Sequence, residues 1–498
     1  MKLIGALDQG TSSTRFIIFN HDGQIVAMDQ TEHQQILLND GWVEHDALEI
    51  WKNSKRVIEG ALKKARITGS DLAAIGITNQ RETVLAWNKK TGLPLANAIV
   101  WQDTRGKNIL EKLSNSQKER IQHLSGLPAA PYFSASKMQW LLENVPAMQA
   151  AEADDSLIFG TMDTWLLWNL TGGVNGGVFA TDVTNASRTL LMDIEKLEWN
   201  DELLEIFNIQ KSTLSSIKSS SEIYGHTLKD GVFGSEIPIS GILGDQQAAM
   251  VGQGCFENGD SKCTYGTGNF ALVNTGTQIV RSKNGLLTTI CYKFGSESTK
   301  YALEGSVAVT GAAVQWLRDQ LELIQSADEI EDLAKCVPDN GGVYFVPAFS
   351  GLFAPHWRSD ARGAIVGLTR GVTKAHLARA ALEAICYQSR EVLVALTAES
   401  GVELKQLRVD GGITNNDLCM QIQADILQIE IVCPQIVETT ALGAAYAAGL
   451  SVGYWKSTDE LKAKSVIANK WSPVKDSELA TKGFEQWEKA VSKTLNWI

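Results

Sequence analysis

The sequence predicts an α/β protein built from two domains. Three observations carry this expectation. The chain has 498 residues, too many for a single hydrophobic core. Strand-like apolar runs alternate with segments of helical period. A turn rich in Gly, Thr and Ser, set between two strand-like runs, opens the chain at 8–15 and returns in the second half at 264–270.

The first half opens with the run Leu3 to Leu7, the polar turn Asp8-Gln9-Gly10-Thr11-Ser12-Ser13-Thr14-Arg15, and the run Phe16 to Phe19. Asp46 is placed to cap a helix, with Glu49 three residues on to complete a capping box. Ala47, Ile50, Trp51, Val57, Ile58, Ala61, Leu62 and Ala65 then keep a helical period. Ala73 to Thr78 reads as a buried strand, and Val84 to Trp87 as a strand closed by the turn Asn88 to Gly92. The boundary falls near 245–260, in GDQQAAMVGQGCFENGD, with a helix crossing between domains of residues 1–250 and 251–498. Beyond it, 262–273 reads strand, Gly/Thr turn, strand. LRVDGGITNN (407–416) gives a strand and an Asp-Gly-Gly turn, then a helix through Leu418, Ile422 and Ile426. A long helix spans about Thr373 to Leu396, and TTALGAAYAAGL (439–450) is a helix of small residues able to pack closely.

Composition excludes several classes. A net charge of −12 offers no basic stripe for a nucleic-acid partner. No run of eighteen apolar residues predicts a membrane span, and Asp8 interrupts the N-terminal apolar run before a signal sequence could form. The seven cysteines make no C-x-x-C and predict free, mostly buried thiols in a reducing cytoplasm. No pair of histidines has metal-ligand spacing, and His45 reads as a hydrogen-bonded structural residue.

The opening turn carries chemistry. A tight turn between strands aims backbone N–H groups at one point, Gly10 permits close approach, and Thr11, Ser12 and Ser13 add hydroxyls. Arg15 supplies a planar cation suited to phosphate. Asp8 would repel phosphate unless a divalent cation lies between them, and Mg²⁺ is held by a carboxylate, phosphate oxygens and water. The stretch therefore reads as a Mg²⁺–nucleotide site. A polar hairpin would account for Gly-Thr-Ser-Ser alone, and the turns at Gly266-Thr267-Gly268 and Asp410-Gly411-Gly412 tip the balance. No P-loop, no third Gly of a dinucleotide fingerprint and no protein-kinase motif set occurs.

The chain also resembles a known family. LDQGTSSTR (7–15), GWVEHD (41–46), IGITNQRET (75–83), AIVWQD (98–103), PYFSASKMQWL (131–141), TNASRT (184–189), GDQQAA (244–249), TYGTG (264–268), ALEGS (302–306) and RVDGG (408–412) are similar to motifs of the FGGY carbohydrate kinases. The match is dense from about residue 3 to residue 455. The resemblance implies two actin-like (ribonuclease H-like) ATPase domains flanking a central cleft. It implies transfer of phosphate from ATP, with Mg²⁺, to a small polyol. GWVEHD with NQRET points to the branch that acts on glycerol and makes sn-glycerol 3-phosphate.

Carried over residue by residue, the resemblance makes Asp245 the catalytic base. Helix capping is the plainer role for that residue, ahead of Gln246-Gln247-Ala248. The resemblance gives the polyol to Arg81, Glu82, Trp101, Tyr132, Gln246 and Phe270. Arg81 and Glu82 could otherwise be an exposed ion pair, and the aromatic residues ordinary core. Thr11, Ser12, Ser13, Arg15 and Thr267 would meet the phosphates. Gly311, Gln315, Gly412 and Asn416 would border the adenosine, and Asp8 would hold Mg²⁺, through water. The resemblance further implies a cytoplasmic homodimer or homotetramer.

Overall fold

The computed structural model describes residues 2–39, 41–349, 351–358 and 360–498. Two sheets organise it. The first contains β1 (Leu3–Gln9), β2 (Ser13–Phe19), β3 (Ile25–Glu32), β4 (Leu72–Asn79), β5 (Ser221–His226) and β6 (Pro238–Gly244), in the order β5-β6-β4-β1-β2-β3. The second contains β7 (Ser261–Tyr265), β8 (Asn269–Gly276), β9 (Leu287–Tyr292), β10 (Lys300–Val307), β11 (Gln406–Asp410), β12 (Glu430–Pro434) and β13 (Ile467–Trp471), in the order β9-β10-β8-β7-β11-β12-β13.

The two sheets share one inner plan. Each has three neighbouring antiparallel strands at one side, β1-β2-β3 or β7-β8-β10. Two parallel strands join beside the first strand, β4 and β6 in one sheet, β11 and β12 in the other. An antiparallel strand closes that side, β5 or β13. The likeness of the two Gly/Thr hairpins is therefore a likeness of whole sheets. The strands that gain helices on both faces are buried along nearly their whole length: every residue of β6 after Pro238 is buried, as is every residue of β1 after Leu3.

The helices follow the sequence signals. In α1 (Ala47–Ala65) the carboxylate of Asp46 accepts from the N–H of Leu48 at 2.8 Å and of Glu49 at 3.4 Å. The capping box is not completed: the Glu49 carboxylate turns to the Gln34 N–H instead, at 3.3 Å. Between β4 and β5 the chain builds an extra lobe around Val84, Ile99, Phe133, Leu141 and Phe207, which includes α2 (Ser134–Asn144). Helix α3 (Asp245–Gly252) runs from β6 toward β7 and so crosses between the sheets. The second half adds α4 (Gly311–Asp319), α5 (Lys374–Ser400), α6 (Asp417–Leu427) and α7 (Thr439–Ser451).

Helix α7 belongs to the second half by sequence but lies against β1, β4 and β6 of the first sheet and against α3. Small residues make this possible. A Cβ at Gly76 of β4 would stand 2.2 Å from the carbonyl oxygen of Ala444, and one at Gly443 of α7 would stand 1.8 Å from that of Ala248. Ile4, Ile17, Leu243, Met250, Leu272, Ala302, Ala445 and Trp455 share one core there, so the two halves are packed into each other. All seven cysteines are free; Cys336 is exposed and the other six are buried. No helix among the described residues is long and apolar enough to cross a membrane.

Candidate active site

The site forms where the strand-end turns of the two sheets face one another. In the β1–β2 hairpin, register pairs Asp8 with Arg15. Both lie close together in space, with the Arg15 Nε–H donating to Asp8 at 2.8 Å, and Arg15 also pairs with Glu438 at 2.5 Å. Arg15 is thus engaged by two carboxylates rather than standing free beside the turn. The N–H of Gly10 closes the turn onto the Ser13 carbonyl at 2.9 Å, which leaves the tip to Thr11, Ser12 and Ser13. The Thr11 hydroxyl accepts the indole N–H of Trp101 at 3.0 Å. Its own proton therefore remains for another acceptor.

Trp101 links this turn to an aromatic corner. Its ring meets Tyr132 at 5.5 Å and Phe270, from β8 of the second sheet, at 6.4 Å, both edge to face. Three residues placed apart in the sequence thus enclose one small apolar wall between the two halves. Tyr132 sits on a loop whose carbonyls at Pro131, Tyr132 and Phe133 all accept from the buried Lys137 Nζ of α2, at 2.8, 2.6 and 3.1 Å. An ammonium has three protons to donate, and all three are used here. Burial pulls the Lys137 pKa down to about 7, with Glu82 and Asp103 opposing that.

Arg81 and Glu82 follow β4, and both are buried, so the reading of an exposed ion pair is excluded. Glu82 has a left-handed backbone, φ 60°, in a tight turn closed by the Thr83 N–H on the Arg81 carbonyl at 2.7 Å. Strained residues of this kind gather at sites that must aim a side chain. The Arg81 Nε lies 3.0 Å from Asp245. Asp245 is the first residue of α3, and Gly244 holds the capping position with its extended backbone, which corrects the capping role. The Asp245 carboxylate accepts the neighbouring Gln246 N–H at 2.7 Å, and its side chain keeps 32% of its surface exposed. Burial raises its pKa above the usual carboxylate value, against the opposing pull of Arg81 and Lys262. The Gln246 side chain accepts from Lys262 Nζ.

The second half contributes three neighbouring turns. Thr267 is exposed at the β7–β8 hairpin, and its carbonyl accepts the Thr310 N–H at 3.0 Å just ahead of α4. Gly311 begins α4, where a Cβ would stand 2.6 Å from the Gly266 carbonyl oxygen. Gln315 is exposed on the same helix. A Cβ at Gly411 would stand 2.3 Å from the Tyr265 carbonyl oxygen, so the third turn touches the hairpin. Gly412 faces open space, and Asn416 caps α6 through the Cys419 N–H at 2.8 Å.

The donor set can be tested against Mg²⁺. Among the described residues no three His, Cys, Asp or Glu gather to cage a metal ion. Mg²⁺ needs only one or two carboxylates when phosphate and water supply the rest. Asp8 lies at the end of β1 just before Gln9, and the buried Asp410 ends β11 of the second sheet with one carboxylate oxygen that has no hydrogen-bond partner. These residues fit a water- and phosphate-bound Mg²⁺.

Four residues were not assigned a role from the sequence. Glu304 of β10 lies between Arg81, at 2.6 and 3.0 Å, and Arg188, at 3.1 and 3.3 Å. Arg188 also pairs with Glu82 at 2.5 Å. Lys262, on β7, reaches Gln246 and Thr264, and Asp410 is held by Gln253 and Thr439. For Glu304 and Lys262 a signal was available: a charged residue inside a strand-like run, as in KYALEGS (300–306) or SKCTY (261–265), is rarely buried without a partner.

His45 is structural, as expected. Gln80 donates to its Nδ1 at 3.2 Å, and its Nε2–H donates to Gln35 at 2.9 Å. Burial, and then the adjacent His33, pulls its pKa down to about 3.

Two duplicated sheets with polar turns facing across a junction, and a carboxylate beside an arginine within it, define an actin-like phosphotransferase fold. The family models agree. The N-terminal domain model of the FGGY family of carbohydrate kinases matches residues 3–252, and its C-terminal domain model matches residues 261–452. The chain belongs to the FGGY family of carbohydrate kinases. It is 59% identical over 498 residues to the glycerol kinase of Mycolicibacterium gilvum (strain PYR-GCK), covering 99% of both chains. It is 57% identical over 496 residues to that of Saccharopolyspora erythraea, again covering 99% of both. Among solved structures, the Plasmodium falciparum glycerol kinase with ADP matches at 42% identity and a TM-score of 0.92, covering 99% of this chain and 98% of that one. A ligand-bound xylulose kinase from Lactobacillus acidophilus shares the fold at 22% identity and a TM-score of 0.86, covering 99% and 97%.

Proposed function

We propose that this chain phosphorylates glycerol with ATP, giving sn-glycerol 3-phosphate and ADP. The reading is carried by the 59% identity that runs the full length of a relative named glycerol kinase. The 42% identical glycerol kinase whose structure holds ADP supports the nucleotide.

In this reading Asp245 is the general base for the attacking hydroxyl. A carboxylate is a weak base, but in a loose phosphoryl-transfer transition state the proton leaves late and position matters most. Its raised pKa and partial exposure suit the task. Arg81 donates to an acceptor hydroxyl and Glu82 accepts from one, so the pair serves both roles of a polyol. Trp101 and Phe270 cover the carbon side, while Tyr132 and Gln246 complete the polar contacts. A pocket that pairs each hydroxyl disfavours acceptors that lack one, because its own buried groups would be stranded.

Thr11, Ser12, Ser13 and Thr267 hold the phosphates from opposite sides. Arg15 acts beside them while tethered to Asp8 and Glu438. Gly311, Gln315, Gly412 and Asn416 border the adenosine. Asp8 would hold Mg²⁺, through water, and the ion would supply positive charge beside the phosphate oxygens. Residues 1–250 then carry the polyol and phosphate contacts apart from Phe270 and Thr267, and residues 251–498 add those two and the adenosine contacts. Free thiols throughout suit a cytoplasmic enzyme.

ADP release measured with glycerol, dihydroxyacetone, D-xylulose, D-ribulose and no acceptor tests the proposal. Turnover should be fastest with glycerol and negligible without an acceptor. Preference for a ketopentose would move the chain to a sister activity, and acceptor-independent hydrolysis would defeat the kinase reading.

A further inference from the structure

An arginine in contact with a base is a problem for that base. A guanidinium that turns its two-pronged end to a carboxylate forms the strongest of protein ion pairs and removes the carboxylate's capacity to take a proton. Arg81 lies within reach of Asp245, yet it meets Asp245 through Nε, at 3.0 Å. Its terminal nitrogens point the other way. They donate to the two oxygens of Glu304, at 2.6 and 3.0 Å, and one of them also donates to Gln247 at 3.2 Å.

Glu304 comes from β10 of the second sheet, whereas Arg81, Glu82 and Arg188 come from the first half. All four side chains are at most 2% exposed. They form an alternating chain, Glu82–Arg188–Glu304–Arg81, which ends on Asp245. We propose that Glu304 is a positioning residue for the reaction: from across the junction it holds the two-pronged end of Arg81, balanced by Arg188, and so leaves Asp245 facing Nε alone. This inference rests on the reading of Asp245 as the base.

The charges support it. Burial alone would push Glu304 up, but Arg188 and Arg81 together hold it at about 2, so it stays ionised. The groups facing Asp245 are Arg81 from the turn after β4, Lys262 from β7 and Glu304 from β10. Arg81 and Lys262 favour the Asp245 anion, and Glu304 opposes them. Glu82 and Arg188 face Arg81 and Glu304 from the other side, and Tyr132 lies beside both arginines. Removing the Glu304 charge therefore deepens the positive field at Asp245 and frees Arg81 to turn onto it. Both effects make Asp245 a weaker base.

The test is the pH profile of glycerol-dependent turnover for the wild type, Glu304→Gln and Glu304→Asp. A base that must be deprotonated gives a rate that rises with pH through its pKa. In Glu304→Gln the acid limb should move down by about one pH unit, with kcat on the plateau lower by about tenfold or more. Glu304→Asp keeps the charge, so its limb should stay at the wild-type position even where shorter reach lowers kcat. Thermal melting of each variant separates loss of fold from loss of rate. An unmoved limb in a folded Glu304→Gln overturns the inference. If Glu304→Gln does not fold, a limb displaced downward in Glu304→Asp overturns it, and a limb in place supports it. Failure of the wild type to use glycerol would instead defeat the reading of the site itself.

Discussion

Replacing Gly443 by alanine should damage both stability and turnover through a single contact. The added Cβ would stand 1.8 Å from the Ala248 carbonyl oxygen and 2.9 Å from the Gly252 nitrogen of α3. Nonbonded atoms of this kind rest at roughly 3.5 Å, so α3 and α7 must part by roughly 1.5 Å. Helix α7 cannot retreat, because its other face is seated on the first sheet, where Cβ atoms at Gly76 and Gly241 would stand 2.2 and 2.4 Å from its backbone. The movement therefore falls on α3. Ala248 is three residues from Asp245, at the start of the same helix. Overpacking of this kind costs about 1–3 kcal/mol, a drop of about 1–3 °C in melting midpoint for a chain of 498 residues. A shift of about 1 Å at a reacting group costs about a hundredfold in rate. Thermal unfolding by circular dichroism and glycerol-dependent ADP release read the two effects. Alanine is a better helix former than glycine by about 1 kcal/mol. A variant that melts at or above the wild-type temperature with unchanged kcat would thus show that the contact does not govern the position of α3.

Two further outcomes follow from buried groups outside the transfer step. His45 is neutral in the fold, with its pKa lowered to about 3 by burial, and titrates near 6.5 when unfolded. A lowered folded pKa means that the unfolded chain binds the proton first, so stability is full above about pH 6.5 and falls by about 1.4 kcal/mol per pH unit as pH drops toward 3. Urea unfolding at pH 7 and pH 5 should therefore show His45→Gln losing about 2 kcal/mol less than the wild type over that interval; equal losses would contradict the assignment. Lys137→Met leaves the carbonyls of residues 131–133 without their donor, at a cost of about 1–3 kcal/mol. Because that loop carries Tyr132, KM for glycerol should rise more than kcat falls, and an unaltered KM in a folded variant would separate Lys137 from the acceptor site.

The parts of the molecule legible in the sequence were those set by local chemistry. The two Gly/Thr hairpins, the Asp46 cap and the small-residue helix at 439–450 all appear where their patterns placed them. Each depends on residues within a few positions of one another. The candidate site was legible as residue types. Trp101, Tyr132 and Phe270 meet, and Arg81 reaches Asp245, as a shared pocket requires. What stayed hidden was the partner of each buried charge. Glu304 and Arg81 are 223 positions apart, and only the pairing of the two halves brings them together. For the same reason Arg15, seen alone beside a phosphate-type turn, gave no sign that Glu438 at the start of α7 would bind it. Asp245 read as a cap because it precedes a helix; its place one residue further in was decided by the extended backbone of Gly244.

The central claim is that Asp245 takes the proton from glycerol as phosphate moves. Asp245→Asn keeps the side-chain shape and an oxygen able to accept from the Gln246 N–H, and so should leave the pocket intact. The most direct measurement pairs calorimetric binding of glycerol with single-turnover phosphoryl transfer from ATP in this variant. The account predicts near wild-type affinity with transfer slowed by about 10²–10⁴-fold. Transfer at the wild-type rate, with glycerol bound as tightly, would contradict it.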